Sequence, residues 1–171
     1  MRLLMAAVTT ILMSVGFSHS GMSNTLTLDD FTTMSQQELN ALYAAAQPGG
    51  VPDGESNGRA IFFAGSMIAE PAALLAQFIW QGKVFDRENG VLLNKVFGFQ
   101  LVKARVYYGT SYFDGKEAII VDYHDTSLLF KPVRDEIRQV GPNMYLGRAY
   151  IHTLFGAVMA VNFVLDFSGA E

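Results

Sequence analysis

The sequence predicts a mainly β fold, an antiparallel up-and-down barrel of lipocalin-like form with about seven to nine strands and two or three short helices. Three observations lead there. Between Arg59 and Phe167, short runs rich in Val, Ile, Phe and Tyr alternate with polar residues at a period of two. Turn-forming residues separate these runs at short intervals, which suits sequential antiparallel neighbours. A meander of this many strands exposes two edges unless it closes, and closure into a barrel removes both. The size agrees: 171 residues, 50% apolar and 16% charged, suffice for one core and leave no room for a second full-sized domain.

The chain divides into residues 1–20, read as a secretory signal, residues 21–55, a helical lead and connector, and residues 56–171, the barrel. Met1-Arg2 is a short positive start and Leu3 to Phe17 an uncharged run. Ser18 and Ser20 then supply the small side chains that precede a cut between Ser20 and Gly21. The mature protein is therefore expected to be periplasmic or secreted. The apolar run is short for a bilayer span, which asks for about 20 residues. An uncleaved anchor and a start at Met22 are the competing readings, and no membrane span is expected in the mature chain.

Ser35-Gln36-Gln37-Glu38 is a capping box, in which the Ser35 hydroxyl and the Glu38 carboxylate each meet the other's backbone amide. Met34 and Leu39 fit a hydrophobic staple, and Leu39, Leu42, Tyr43 and Ala46 share one helical face until Gln47-Pro48-Gly49-Gly50 ends it. After this connector, Arg59 to Gly65 suits a first strand, and Glu70-Pro71 opens a short helix leading into Trp80. Gln81 to Phe85 and Val91 to Phe97 form a hairpin around Asp86 to Gly90, with Gly90 placed for positive φ. In Leu101 to Tyr108, Val102, Ala104, Val106 and Tyr108 share the apolar face. Asp114-Gly115 predicts a two-residue hairpin turn between Tyr112-Phe113 and Lys116 to Tyr123. Leu129, Val133, Ile137 and Val140 recur at helical spacing, so a helix is expected over Leu128 to Val140, with Pro132 in its first turn and Gly141-Pro142 after its end. Met144 to Leu154 and Ala157 to Phe167 close the chain as strands.

Composition excludes several chemistries. Twelve Lys and Arg against sixteen Asp and Glu give a formal charge of −4, without the basic footprint of a nucleic-acid binder. The absence of cysteine removes disulfides, thiolate metal sites, Fe–S clusters and thiol nucleophiles. Ser66 lacks the second glycine of a nucleophile elbow, and the glycines near position 50 lack the lysine-serine pair of a phosphate loop. Only His124 and His152 survive cleavage, so no metal site is expected.

The informative feature is polarity inside apolar strands. Asp122 follows Ala118 and Ile120 on one face of a strand that is apolar on both sides, and a buried carboxylate there needs a partner. Arg134, Arg138, Arg148 and His152 are the available ones. Trp80, Tyr108, Asp122, Arg134, Arg148, Tyr150 and His152 are therefore the candidate ligand contacts, and Asp122 and His152 the candidate catalytic groups.

Trp80-Gln81-Gly82-Lys83-Val84-Phe85 resembles the W-x-G-K-x-F segment of small bacterial GXWXG-type barrel domains, with Phe78 where those have their leading glycine. Asp122-Tyr123 with the later Arg134 adds to that likeness, Arg134 to Arg138 followed by Tyr145-Leu146-Gly147 resembles uncharacterised bacterial proteins, and the wider resemblance is to nitrobindin-like or lipocalin-like barrels. The resemblance implies a barrel with an internal ligand cavity and no established substrate; a haem-binding relative would use a late-strand histidine, here His152.

These readings converge on an exported barrel that binds a small hydrophobic molecule, with Trp80 near its entrance. A cavity enzyme, an isomerase or cyclase working by proton transfer with Asp122 or His152 as base, is the alternative. Haem binding and a fully packed interaction protein are further alternatives. Cofactor and oligomeric state are left open by the sequence.

Overall fold

The computed structural model describes residues 26–62 and 80–169. The predicted signal, the end of the first predicted strand and the helix opening at Glu70-Pro71 lie outside these residues. Two helices lead the chain, α1 (Leu28–Thr33) and α2 (Gln36–Ala45). Strands follow: β1 (Gly54–Glu55), β2 (Asn57–Ile61), β3 (Trp80–Asp86), β4 (Val91–Val96), β5 (Phe99–Thr110), β6 (Glu117–Asp122), β7 (Val133–Gly141), β8 (Met144–Thr153) and β9 (Gly156–Asp166).

All nine pair antiparallel in the order β1-β3-β4-β5-β6-β7-β8-β9-β2, a nearly closed barrel as the sequence predicts. Closure depends on one segment serving both ends of the sheet. Residues 54–55 pair with β3 and residues 57–61 with β9, and Ser56 is the switch between them. The Ser56 hydroxyl donates to the Lys83 carbonyl at 2.8 Å and accepts from the Lys83 amide at 3.0 Å. The backbones meet so closely here that a Cβ on Gly82, at φ 130°, would fall 2.3 Å from the Ser56 carbonyl oxygen.

Strand direction defines two ends. At the upper end β2 finishes, β3 begins, and the chain turns at 97–98, 123–132 and 154–155. At the lower end it turns at 87–90, 111–116 and 142–143. The β3–β4 turn has Gly90 at φ 62°, the conformation the sequence called for. Val102 is a bulge residue at φ 59° where the β4–β5 register shifts, and this curves the strand while Ala104 and Val106 stay inside.

Two hydrophobic layers result. Inside the barrel, Phe85, Leu92, Ala104, Val106, Ile119, Val121, Ile137, Tyr145, Phe163, Leu165 and Phe167 form one buried cluster. Outside it, Phe31, Leu39 and Tyr43 of the helices pack on Ile61, Met144, Leu146 and Val164. The Ser35 capping box forms as read, with the Ser35 amide donating to Glu38 at 2.7 Å, and Leu39 and Tyr43 are the buried face of α2. A second box, Thr27 with Asp30, starts α1.

Two local expectations are corrected. Leu128 to Val140 is not a helix: residues 124–132 form turns and β7 begins at Val133. The i, i+4 spacing of Val133 and Ile137 fits either period, and tertiary burial decides between them. Asp135 and Ile137 face the barrel interior, whereas Arg134, Glu136 and Arg138 face outward and are buried by the residues around them. The Asp114-Gly115 turn is also longer than expected. Thr110 pairs with Glu117, leaving a six-residue loop in which Gly115 has positive φ and Asp114 does not. Arg138 claims the Asp114 carboxylate through two bonds of 2.7 and 2.8 Å, and Ser111 bonds Glu136, so the loop folds back over the outer face.

Candidate functional site

Apolar side chains fill the lower half of the barrel, and an open cleft of about 400 Å³ at that end is lined by Val51, Tyr145 and Phe167 among others. Phe85 and Tyr145 each meet Phe167 edge to face at 5.6 Å. The connector after α2 crosses this end, where Tyr145 donates to the Gly50 carbonyl at 2.7 Å and Tyr108 to the Gly49 carbonyl at 3.0 Å, while Val51 packs on the interior cluster. Tyr108, a sequence candidate, therefore serves the lower end.

Above this apolar plug lies a polar cluster. Lys83 projects inward from β3, and its ammonium donates to Tyr123 at 2.6 Å and Asn94 at 2.7 Å and lies 2.9 Å from Asp135. Those contacts use all three ammonium hydrogens. The Tyr123 hydroxyl donates to Asp135 at 3.1 Å and accepts from the Asn94 amide at 2.8 Å. Burial first, and then the Asp135 charge, push the Tyr123 phenol well above its ordinary pKa, so it remains a proton donor across the physiological range. The ammonium also sits 5.4 to 5.6 Å from the ring centres of Trp80, Tyr123 and Phe163. Trp80, half-buried at the upper end, donates its indole N–H to Asn94 at 3.2 Å and meets Phe163 edge to face at 5.6 Å. Trp80, Val102, Phe130, Val133 and Ala149 are partly buried apolar residues packed against the interior cluster to which Tyr123 belongs.

The remaining sequence candidates lie on the other surface of the sheet. Asp122, Arg134, Tyr150 and His152 alternate with inward residues and gather on the outer face of β6, β7 and β8. There an open cleft of about 650 Å³ is lined by Tyr107, Tyr112, Asp122, Lys131, Arg134 and His152, among others. The Asp122 carboxylate accepts from the Tyr107 hydroxyl at 3.0 Å and from the His124 amide at 2.9 Å, so its partners are neutral donors although Arg134 is its register neighbour. The Arg134 guanidinium stacks 3.9 Å over the Tyr112 ring and pairs with Glu136. Tyr112 Oη and His152 Nε2 are 3.5 Å apart, and Tyr112 meets Tyr150 edge to face at 5.4 Å.

Arg148, the last candidate, is separate from this cleft and lies beneath α2. It donates to Asn40 Oδ1 at 2.8 Å and stacks over Phe113 at 4.0 Å, while its Nε and the neighbouring Asn162 Oδ1 have no hydrogen-bond partner. Glu136 beside it is fully buried and accepts from the Tyr112 amide at 2.8 Å as well as from Ser111 and Arg134. These contacts pin α2 and the 111–116 loop to the barrel. Among the described residues no three His, Asp or Glu side chains are grouped to hold a metal ion.

Sequence reading placed Trp80 at the entrance and did not single out Lys83, Asn94 or Asp135. A signal for Lys83 was present, because it shares strand parity with Phe85 and so interrupts an inward apolar face. Asp135 was hidden by the helical reading of its segment.

No family model and no curated protein matches the chain. A crystal structure of a protein from Thermomonospora curvata superposes with a TM-score of 0.52 at 20% identity, covering 78% of this chain and 87% of that one. At this identity the likeness shows the barrel fold alone.

Proposed function

We propose that the barrel binds a small, largely apolar molecule through its upper end, with the molecule's polar group directed at the Lys83–Asn94–Tyr123–Asp135 cluster. One observation carries this reading: a buried ion pair lies beside aromatic rings in an interior with partly buried apolar walls. Stability does not account for such a pair, since replacing a buried salt bridge with apolar side chains is commonly neutral or favourable. A concave apolar site with a few convergent polar groups is the usual form of a small-molecule pocket. Trp80 and Phe130 would supply contact area, and the Lys83 ammonium would orient a carbonyl or carboxylate oxygen.

Trp80 is the single tryptophan of the chain and reports directly on this site. Titration with cis-parinaric acid, an apolar chain ending in a carboxylate, should quench Trp80 emission saturably, and Ala149→Phe should block binding by filling the wall without adding a second tryptophan. A response that does not saturate, or one unaffected by filling the wall, would overturn the proposal. The outer cleft favours a second reading, because it assembles Asp122, Arg134 and His152 around one opening. A proton-transfer enzyme would place its base there, and any turnover should then fall about 100-fold or more in His152→Gln or Asp122→Asn. Export remains part of the proposed role, resting on the Met1 to Ser20 pattern; N-terminal sequencing of protein from the periplasm or medium should begin at Gly21.

A further inference from the structure

The two ends of the barrel differ sharply in chemistry. Three separate upper-end connections each present large apolar side chains to solvent: Phe97 and Phe99, Leu128 and Leu129, and Leu154 and Phe155. Leu128 is 97% exposed and Leu154 and Phe155 are 99% exposed. Isolated exposed apolar residues are ordinary on a protein surface, but here they recur on three loops sharing one end. The lower end carries Asp53, Asp86, Glu88, Asp114, Glu117 and Asp166 instead, with Arg87 and Lys116 among them. Beside the apolar tips, Lys131 is basic and Asp125 lies 3.3 Å from Arg105. Asp122 shares the cleft of Lys131, so the upper end is nearly balanced in charge and an anionic surface would repel the acidic lower end more than the upper one.

We propose that the upper end is a lipid-docking surface, whose three apolar tips enter the interface of an anionic bilayer while the acidic lower end faces water. The contact would be peripheral, since the outer strand face carries Arg134, Glu136, Arg138 and Arg148 beneath protein and no helix among the described residues is long and apolar enough to cross a membrane. This surface does not depend on occupancy of the barrel.

The absence of cysteine makes the test clean. Phe99→Cys, Leu129→Cys and Leu154→Cys, with Glu88→Cys as the lower-end control, are each made in the full-length chain and labelled with a nitrobenzoxadiazole dye. Each is mixed with phosphatidylcholine–phosphatidylglycerol vesicles carrying nitroxide lipid. The expected result is a blue shift and nitroxide quenching at the three upper positions and neither at position 88. Sedimentation with vesicles while the upper labels stay aqueous would assign attachment to the N-terminal run and overturn the proposal. Upper labels already blue-shifted without vesicles would also overturn it, assigning the tips to residues 63–79 if independent of protein concentration and to a second copy if dependent on it. In a separate variant, Leu154→Ser with Phe155→Ser should lower vesicle partitioning about tenfold or more with an unchanged unfolding midpoint. Unchanged partitioning would refute docking by these tips.

Discussion

Replacing Lys83 with methionine isolates the energetics of the barrel interior. The wild-type ammonium donates at 2.6 to 2.9 Å to Tyr123, Asn94 and Asp135, and the Lys83 and Asp135 side chains are 3% and 6% exposed. Methionine preserves most of the volume and removes all three bonds. The Asp135 carboxylate then keeps only the Tyr123 hydroxyl among its side-chain partners. Breaking one side of a buried pair costs about 3–5 kcal/mol, a large share of the roughly 5–15 kcal/mol that holds a domain folded. In Lys83→Met with Asp135→Leu the stranded charge is gone. The remaining deficit is the Tyr123 hydroxyl without its acceptor, about 1–3 kcal/mol. Urea unfolding followed by Trp80 emission and far-ultraviolet circular dichroism measures both variants. The double variant should be more stable than Lys83→Met alone. If the single substitution costs less than about 1 kcal/mol, or the two substitutions simply add, the cluster is not the desolvated ion pair described here.

The remaining expectations concern the shell and the seam. Arg138 beside Asp114 lowers that carboxyl from 3.8 to about 2, so the pair's contribution is present above about pH 4 and is lost as pH falls through about 2. Asp114→Asn should cost on the order of 1–2 kcal/mol near neutrality and flatten that part of the acid profile, as read from urea midpoints between about pH 2 and 5. Gly82→Ala drives a Cβ to 2.3 Å from the Ser56 carbonyl at φ 130°, and should destabilise by about 2–4 kcal/mol where the barrel closes. Gly90→Ala, whose nearest contact is 3.4 Å, should cost only about 1 kcal/mol, and thermal melts of the two variants measure the difference. Ser35→Ala removes the α2 cap and should cost about 1 kcal/mol, detectable as a lowered melting temperature without loss of the barrel's circular dichroism.

The sequence by itself determined the strand identities that rest on local alternation, the Ser35 cap and the Gly90 turn, because period-two patterns and turn residues act between near neighbours, and the number of strands then pointed to a barrel that leaves no open edge. Tertiary structure alone decided β7, since Leu129, Val133, Ile137 and Val140 recur at helical spacing, and the strand emerges only when Tyr43, Ser111 and Asp114 bury the outward Glu136 and Arg138. It also decided where the polar groups meet. Lys83 and Asp135 are 52 positions apart in number and come together across the barrel at 2.9 Å, while Asp122 and Arg134, register neighbours, turn to Tyr107 and Glu136. Charge pairing in a dry interior depends on which side chains closure brings within reach, and closure is a property of the whole sheet rather than of any single strand.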